Sequence, residues 1–218
     1  MAPNSTKASG PVKVLFVGNS FTARNNLPGL VADLAAARDI AMEPRLISAG
    51  GASLRMHWNN GDAQKEIART RYDWVVLQEQ STLPVKNAAR MHENVRLFDA
   101  AIRAAGAKTA LYLTWARVHA PQSQRAISDA YTAIGHEVGA TVVPVGVAWE
   151  RVLATDGGPV LHDKDGSHPT PAGSYLAACV FLAALLNETP VNAGGAPPGL
   201  SGAHAKLLQR AAREAVKA

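Results

Sequence analysis

Cysteine is almost absent from this chain of 218 residues; the one present is Cys179. A single thiol cannot close an internal disulfide or build a cysteine metal cluster. It lies in the apolar run SYLAACVFLAALL, where a packed, inert thiol is expected. No apolar run is long enough to span a bilayer. The opening MAPNSTKASGPVK is polar and has no apolar core of the kind a secretory signal needs. The chain as given is therefore expected in the cytoplasm, or in the periplasm or outside the cell if a signal was removed. Residues 1–11 are expected to be a disordered arm. Acidic residues are the minority, 17 against 22 Lys and Arg, for a net charge of +5. The basic residues are scattered singly, without the clustering and interleaved aromatics of a nucleic-acid surface, so no nucleic-acid partner is expected. Also missing are G-x-G-x-x-G and the P-loop lysine, which argues against a nucleotide site.

What is present is an alternation of short β-like runs and longer helical ones. The strand-like runs cover 12–17, 43–48, 73–78, 108–115 and 141–146. VKVLFV at 12–17 is apolar throughout and rich in β-branched residues, as in a strand buried on both faces. Pro144 suggests an edge or bulge in the fifth. Helical spacing covers 27–39, 62–71, 88–106, 123–139, 147–154, 170–188 and 202–218. Asn26 and Thr170 are N-cap candidates, each near a proline in the first turn. Gly106 and Gly139 read as helix stops. There is no internal repeat and no long linker. The pattern predicts one α/β domain over 12–218, a three-layer α/β/α flavodoxin-like sandwich with a mostly parallel five-stranded sheet.

In such folds ligands bind beyond the carboxyl ends of the strands. There the sequence places Gly18-Asn19-Ser20, Gly50-Gly51, Gln78-Glu79-Gln80, Trp115 to His119, and the loop LHDKDGSHPTPAG. Asp165 and His168 are three apart. Pro169 keeps His168 out of helical geometry. A carboxylate at that spacing can hold one ring nitrogen and leave the other as an acceptor. Ser20 could use that acceptor as its base. Ser20, His168 and Asp165 are then candidate nucleophile, base and orienter for acyl transfer. The backbone N–H groups of Ser20 and Gly51 are candidate oxyanion donors, with the side-chain amide of Gln80, or else Gln78, as a third. Trp58, Trp115 and Arg117 are candidate substrate contacts, with His119 beside them.

These residues resemble the SGNH hydrolase superfamily, also called GDSL-type esterases and lipases. VGNSFT matches the family's nucleophile turn through Ser20. SAGGAS matches its second block through Gly51, and DGSHPTPAGSYLAA its last block through Asp165 and His168. The likeness runs from about residue 12 to residue 187. The family usually carries Gly-x-Asn-Asp after the third strand, whereas this chain has VVLQEQST, as in a divergent subgroup with glutamine in place of the asparagine. The resemblance implies a serine esterase acting on a small-molecule ester through an acyl-enzyme, with no metal or organic cofactor. It also implies a short acyl group, acetyl above all, on a carbohydrate or similar alcohol. Two rivals remain at this level. One is a metal-dependent hydrolase using His162, Asp163, Asp165 and His168. The other is an inactive ligand-binding module of the same fold. Oligomeric state is not legible.

Overall fold

The computed structural model describes residues 10–217. The expected arm falls mostly outside them; Gly10 and Pro11 lead directly into the first strand. The elements follow in order: β1 (Val12–Gly18), α1 (Ser20–Ala23), α2 (Leu27–Ala36), β2 (Met42–Ser48), α3 (Leu54–Asn60), α4 (Asp62–Arg69), β3 (Trp74–Leu77) and α5 (Leu83–Lys86). Then come α6 (Ala88–Ala104), β4 (Lys108–Tyr112), α7 (Gln124–Val138), β5 (Thr141–Val143), α8 (Val145–Leu153), α9 (Pro171–Leu186) and α10 (Gly202–Lys217). The strands form one five-stranded sheet in the order β2-β1-β3-β4-β5, every pairing parallel.

Alternate residues of the strands feed two cores. Val14, Phe16, Val76 and Tyr112 face one layer, with Leu27 and Val31 of α2, Trp149 of α8, Phe181 of α9 and Leu208 of α10. Leu15, Val17, Val75 and Leu111 face the other, with Leu54 of α3, Ile67 of α4, Phe98 of α6 and Ile134 of α7. Each large apolar side chain buried this way contributes about 1.5–3 kcal/mol before chain entropy is counted. Helix α9 is buried from Gly173 to Leu182 because α2, α8, α10 and the sheet enclose it. Cys179 lies in that stretch, free and buried, and burial pushes its thiol pKa up to about 12. Among the described residues no helix is long and apolar enough to cross a membrane.

The differences from the sequence reading have local causes. Strand β5 stops at Val143, because Pro144 leaves the ladder and α8 begins at Val145. Gly146 thus belongs to a helix, where its backbone packs too closely on the Thr114 carbonyl to admit a Cβ. Strand β4 ends at Tyr112, so residues 113–115 form the loop above the sheet. Asn26 does not cap α2. It sits in the left-handed region with no side-chain cap bond. Thr170 does cap α9, its hydroxyl accepting from the Gly173 N–H. Three short helices, α1, α3 and α5, were hidden in segments too short for periodicity to show.

Candidate active site

The site begins where β1 ends. Gly18 is a glycine because a Cβ there would meet Thr22 Oγ1 at 2.6 Å and Gln78 Oε1 at 2.7 Å. Asn19 follows, buried, and locks the turn. Its Oδ1 accepts from the Phe21 N–H (3.1 Å), and its Nδ2 donates to the Ala52 carbonyl (3.0 Å). That second bond clamps the loop after β2 to the loop after β1. Ser20 therefore opens α1 half-buried, with its hydroxyl 2.8 Å from His168 Nε2. The residues in contact lie 148 apart in sequence.

His168 is presented by a self-closed loop. The Asp163 N–H donates to the His168 carbonyl (2.7 Å), and the Gly166 N–H to the Asp163 carbonyl (2.9 Å). Gly166 takes φ +66, which the tight reversal requires and which glycine adopts without penalty. Asp165 Oδ1 accepts from the backbone N–H groups of Ser167 and His168, each at 2.9 Å. Its Oδ2 accepts from His168 Nδ1. With Nδ1–H committed to Asp165, Nε2 carries the lone pair that faces the Ser20 hydroxyl. The imidazole bond, then the two amide bonds, hold the Asp165 carboxyl well below the usual carboxylate range. It is ionised wherever the imidazole needs it. The loop is fixed from outside by three more bonds. Trp115 Nε1 donates to the Ser167 carbonyl (3.0 Å), the Val118 N–H to the Gly166 carbonyl (2.9 Å), and Asn25 Nδ2 to the Pro169 carbonyl (3.1 Å).

The donor side is open. Gly51 sits in the exposed loop clamped by Asn19, at φ +67, with no atom near where a Cβ would stand. Among the described residues no acceptor takes the backbone N–H of Gly51 or of Ser20. Gln80 Oε1 accepts from Thr82 N, Thr82 Oγ1 and Leu83 N at 2.8, 2.9 and 3.1 Å. These bonds anchor the side chain by its oxygen and leave its NH2 group unspent. Gln78 is different. It is fully buried, its oxygen accepting from Asn19 N and Thr22 Oγ1 at 2.9 Å and its nitrogen donating to the Glu79 carbonyl. Its oxygen holds the turn that carries Ser20 and its nitrogen is turned to its own loop, so this buried amide is not presented at the rim as that of Gln80 is.

The expected substrate contacts differ in their surroundings. Trp115 is buried, stacked on Trp149 at 3.8 Å and on Phe21 at 4.9 Å between ring centroids. Trp58, half-buried on α3, packs edge-on against Phe98 of α6. Arg117 does reach the rim, where its Nη2 donates to Ser81 Oγ (3.2 Å). The four side chains of the rival metal segment diverge. His162 meets the Ala116 carbonyl (3.0 Å), Asp163 pairs with Arg24 (3.3 Å), and Asp165 and His168 hold each other. Among the described residues no three His, Cys, Asp or Glu side chains converge as a metal cluster.

Sequence reasoning missed two supports. His57, buried on α3, meets the Gly18 carbonyl through Nε2 at 2.7 Å and so braces the residue before the nucleophile turn. Glu79 is buried behind the rim and accepts from Leu54 N (3.0 Å), Gln80 N (2.7 Å) and Asn94 Nδ2 (2.8 Å). A charged residue directly after a buried strand was the one available signal. Desolvation pushes the Glu79 carboxyl above its ordinary 4.5, against the pull of these donors. The native state then holds this proton more tightly than the unfolded chain. Its contribution to stability falls as pH rises from about 4.5 through the folded pKa and levels off above it. Glu79→Gln is expected to lose that decline. Urea-unfolding midpoints over a pH series, compared with the unsubstituted protein, read it directly. Identical slopes for the two proteins would contradict the assignment.

An all-parallel sheet in this order, with a serine, a histidine and a carboxylate joined over its carboxyl rim, is a three-layer flavodoxin-type fold with a candidate hydrolytic site where such folds bind ligands. No family model matches the chain, and no curated protein matches it. Solved structures do. A protein from Slackia heliotrinireducens assigned to the SGNH hydrolases is 27% identical, with TM-score 0.72, covering 81% of this chain and 100% of its own. A DUF4886 family protein from Bacteroides uniformis is 22% identical, with TM-score 0.80 and 95% coverage of each chain. An acetylxylan esterase from Geobacillus stearothermophilus is 18% identical, with TM-score 0.60, covering 80% of this chain and 94% of its own. In fold the chain is similar to the SGNH hydrolases.

Proposed function

We propose that this chain is a serine esterase that removes short acyl groups, acetyl above all, from a hydroxylated small molecule such as a carbohydrate. The observation that carries the reading is the relay from Ser20 Oγ to His168 Nε2 (2.8 Å) and from His168 Nδ1 to Asp165. Ser20 Oγ attacks the ester carbonyl carbon while His168 Nε2 takes the hydroxyl proton. The carbonyl π pair moves to oxygen. The N–H groups of Ser20 and Gly51, with the Gln80 amide, receive that oxyanion. Collapse breaks the bond to the alcohol oxygen, which leaves with the proton from His168. Water then attacks the acyl-Ser20 carbon, with His168 again as base, and releases the acid. Asp165 stays ionised throughout and stabilises the imidazolium. The likeness to an acetylxylan esterase supports the acetyl assignment, as does the absence of a long apolar lid in the sequence.

Active-site labelling tests this. A fluorophosphonate is expected to add to Ser20, seen by mass spectrometry of the tryptic peptide, and His168→Ala should lose the adduct. An ester series should show acetate turned over faster than butyrate, and octanoate least. Labelling at another residue, or ester hydrolysis that persists while Ser20 stays unlabelled, would overturn the reading. A chain that neither labels nor hydrolyses any ester would be the inactive binding module.

A further inference from the structure

Between the loops after β3 and β4 lies a cavity of about 250 Å³, lined among others by Ser81, Thr82, Lys86, Trp115, Arg117 and His119. No acidic residue lines it. Three arginines are half-buried among the described residues: Arg38, Arg55 and Arg117. Arg38 donates to the Thr189 and Val191 carbonyls. Arg55 meets Asn94 Oδ1 and the Glu93 carboxylate. Arg117 has one neutral acceptor, the Ser81 hydroxyl, and its buried Nε has none. A guanidinium withdrawn from water without a counter-ion is unfavourable for the fold. An anion entering the cavity would supply what is missing, with Lys86 adding to the field.

The cavity adjoins the site already described. Trp115 forms part of its wall and stacks on Phe21, the neighbour of Ser20. The next residues are tied to the histidine loop through the bond from Val118 N to the Gly166 carbonyl. The cavity thus adjoins the loop that presents His168, the group that would protonate the departing alcohol. Resting on the esterase reading, we infer that this cavity receives an anionic oxygen group, carboxylate or phosphate, carried by the alcohol part of the ester, with Arg117 as its anchor.

The test compares 4-acetoxybenzoate and 4-acetoxyphenyl phosphate with neutral 4-acetoxybenzamide, using the full chain and its Arg117→Gln and Arg117→Lys variants. The readout is the ratio of kcat/KM, anionic over neutral, so that intrinsic leaving-group reactivity cancels between proteins. Arg117→Gln is expected to lower the ratio at least about tenfold for the anion the cavity takes, as loss of a charge-assisted partner does. Arg117→Lys should retain part of it, and raised salt should shrink it. The anion with the larger drop is the group received. Equal ratios in all three proteins would overturn the inference and leave the esterase reading intact. Binding of benzoate and phenyl phosphate, followed by NMR titration, separates the two ideas further. If no ester is hydrolysed but anion binding weakens about tenfold or more in Arg117→Gln, the cavity stands and the esterase reading falls. Anion binding that is absent or indifferent to Arg117 would overturn the inference whatever the esters do.

Discussion

Ser20→Ala is expected to abolish hydrolysis of p-nitrophenyl acetate, lowering kcat by about 10⁴-fold or more, while the circular dichroism spectrum stays unchanged. The first half follows from chemistry. The Ser20 hydroxyl is the one group positioned 2.8 Å from the accepting nitrogen of His168, so its removal leaves the base with nothing to deprotonate. The second half follows from where the fold keeps its strength. The β1–α1 turn is held by Asn19, Gln78 and His57, whose bonds run to Ala52, to Thr22 and to the Gly18 carbonyl. None of these uses the Ser20 side chain. The variant gives up one half-buried hydrogen bond, about 1 kcal/mol. An alanine variant that kept full activity would remove the serine mechanism altogether, whatever the labelling showed.

How far this was legible in the sequence depends on range. The sheet could be read because each strand is buried on both faces or ends at a punctuating Gly or Pro, and both signals are local. The ends of β4 and β5 could not: the bond from Leu113 N to the Val143 carbonyl is the last between them, and Pro144 then turns the chain into α8. That is a tertiary choice. Among the site residues, Ser20, Asp165 and His168 stood out because motif spacing carries them. The sequence offered Gln78 and Gln80 as near equals. They separate only in three dimensions, where a buried side chain must satisfy its polar atoms from what surrounds it. Gln78 gives its oxygen to the turn that carries Ser20 and its nitrogen to the Glu79 carbonyl, while Gln80 keeps an NH2 at the rim. Trp115 was ambiguous for a related reason. An aromatic after a strand can line a pocket or fill a core, and Trp115 does both: it stacks between Phe21 and Trp149 and forms part of the wall of the cavity beside Arg117.

Asp165→Asn separates the orienting role of the carboxylate from its loop-building role. The asparagine oxygen can still accept the Ser167 and His168 N–H groups, so the turn closed by Gly166 should form. Its NH2 would then face His168 Nδ1, where the aspartate oxygen accepts. Two donors cannot share that bond, so Nδ1 must become the acceptor and the ring proton moves to Nε2. The nitrogen facing Ser20 is then a donor, and the hydroxyl has no base. The expected fall in kcat is about 10⁴-fold, with KM little changed, since no group that binds the ester is touched. Phosphonate labelling of Ser20 should slow in parallel, because it needs the same proton transfer. The thermal midpoint should move little: the carboxylate is nearly half-exposed and solvent screens its charge. A variant with near-native kcat would mean that Asp165 only shapes the loop. One that lost kcat together with several degrees of thermal stability would mean that the loop itself had come apart.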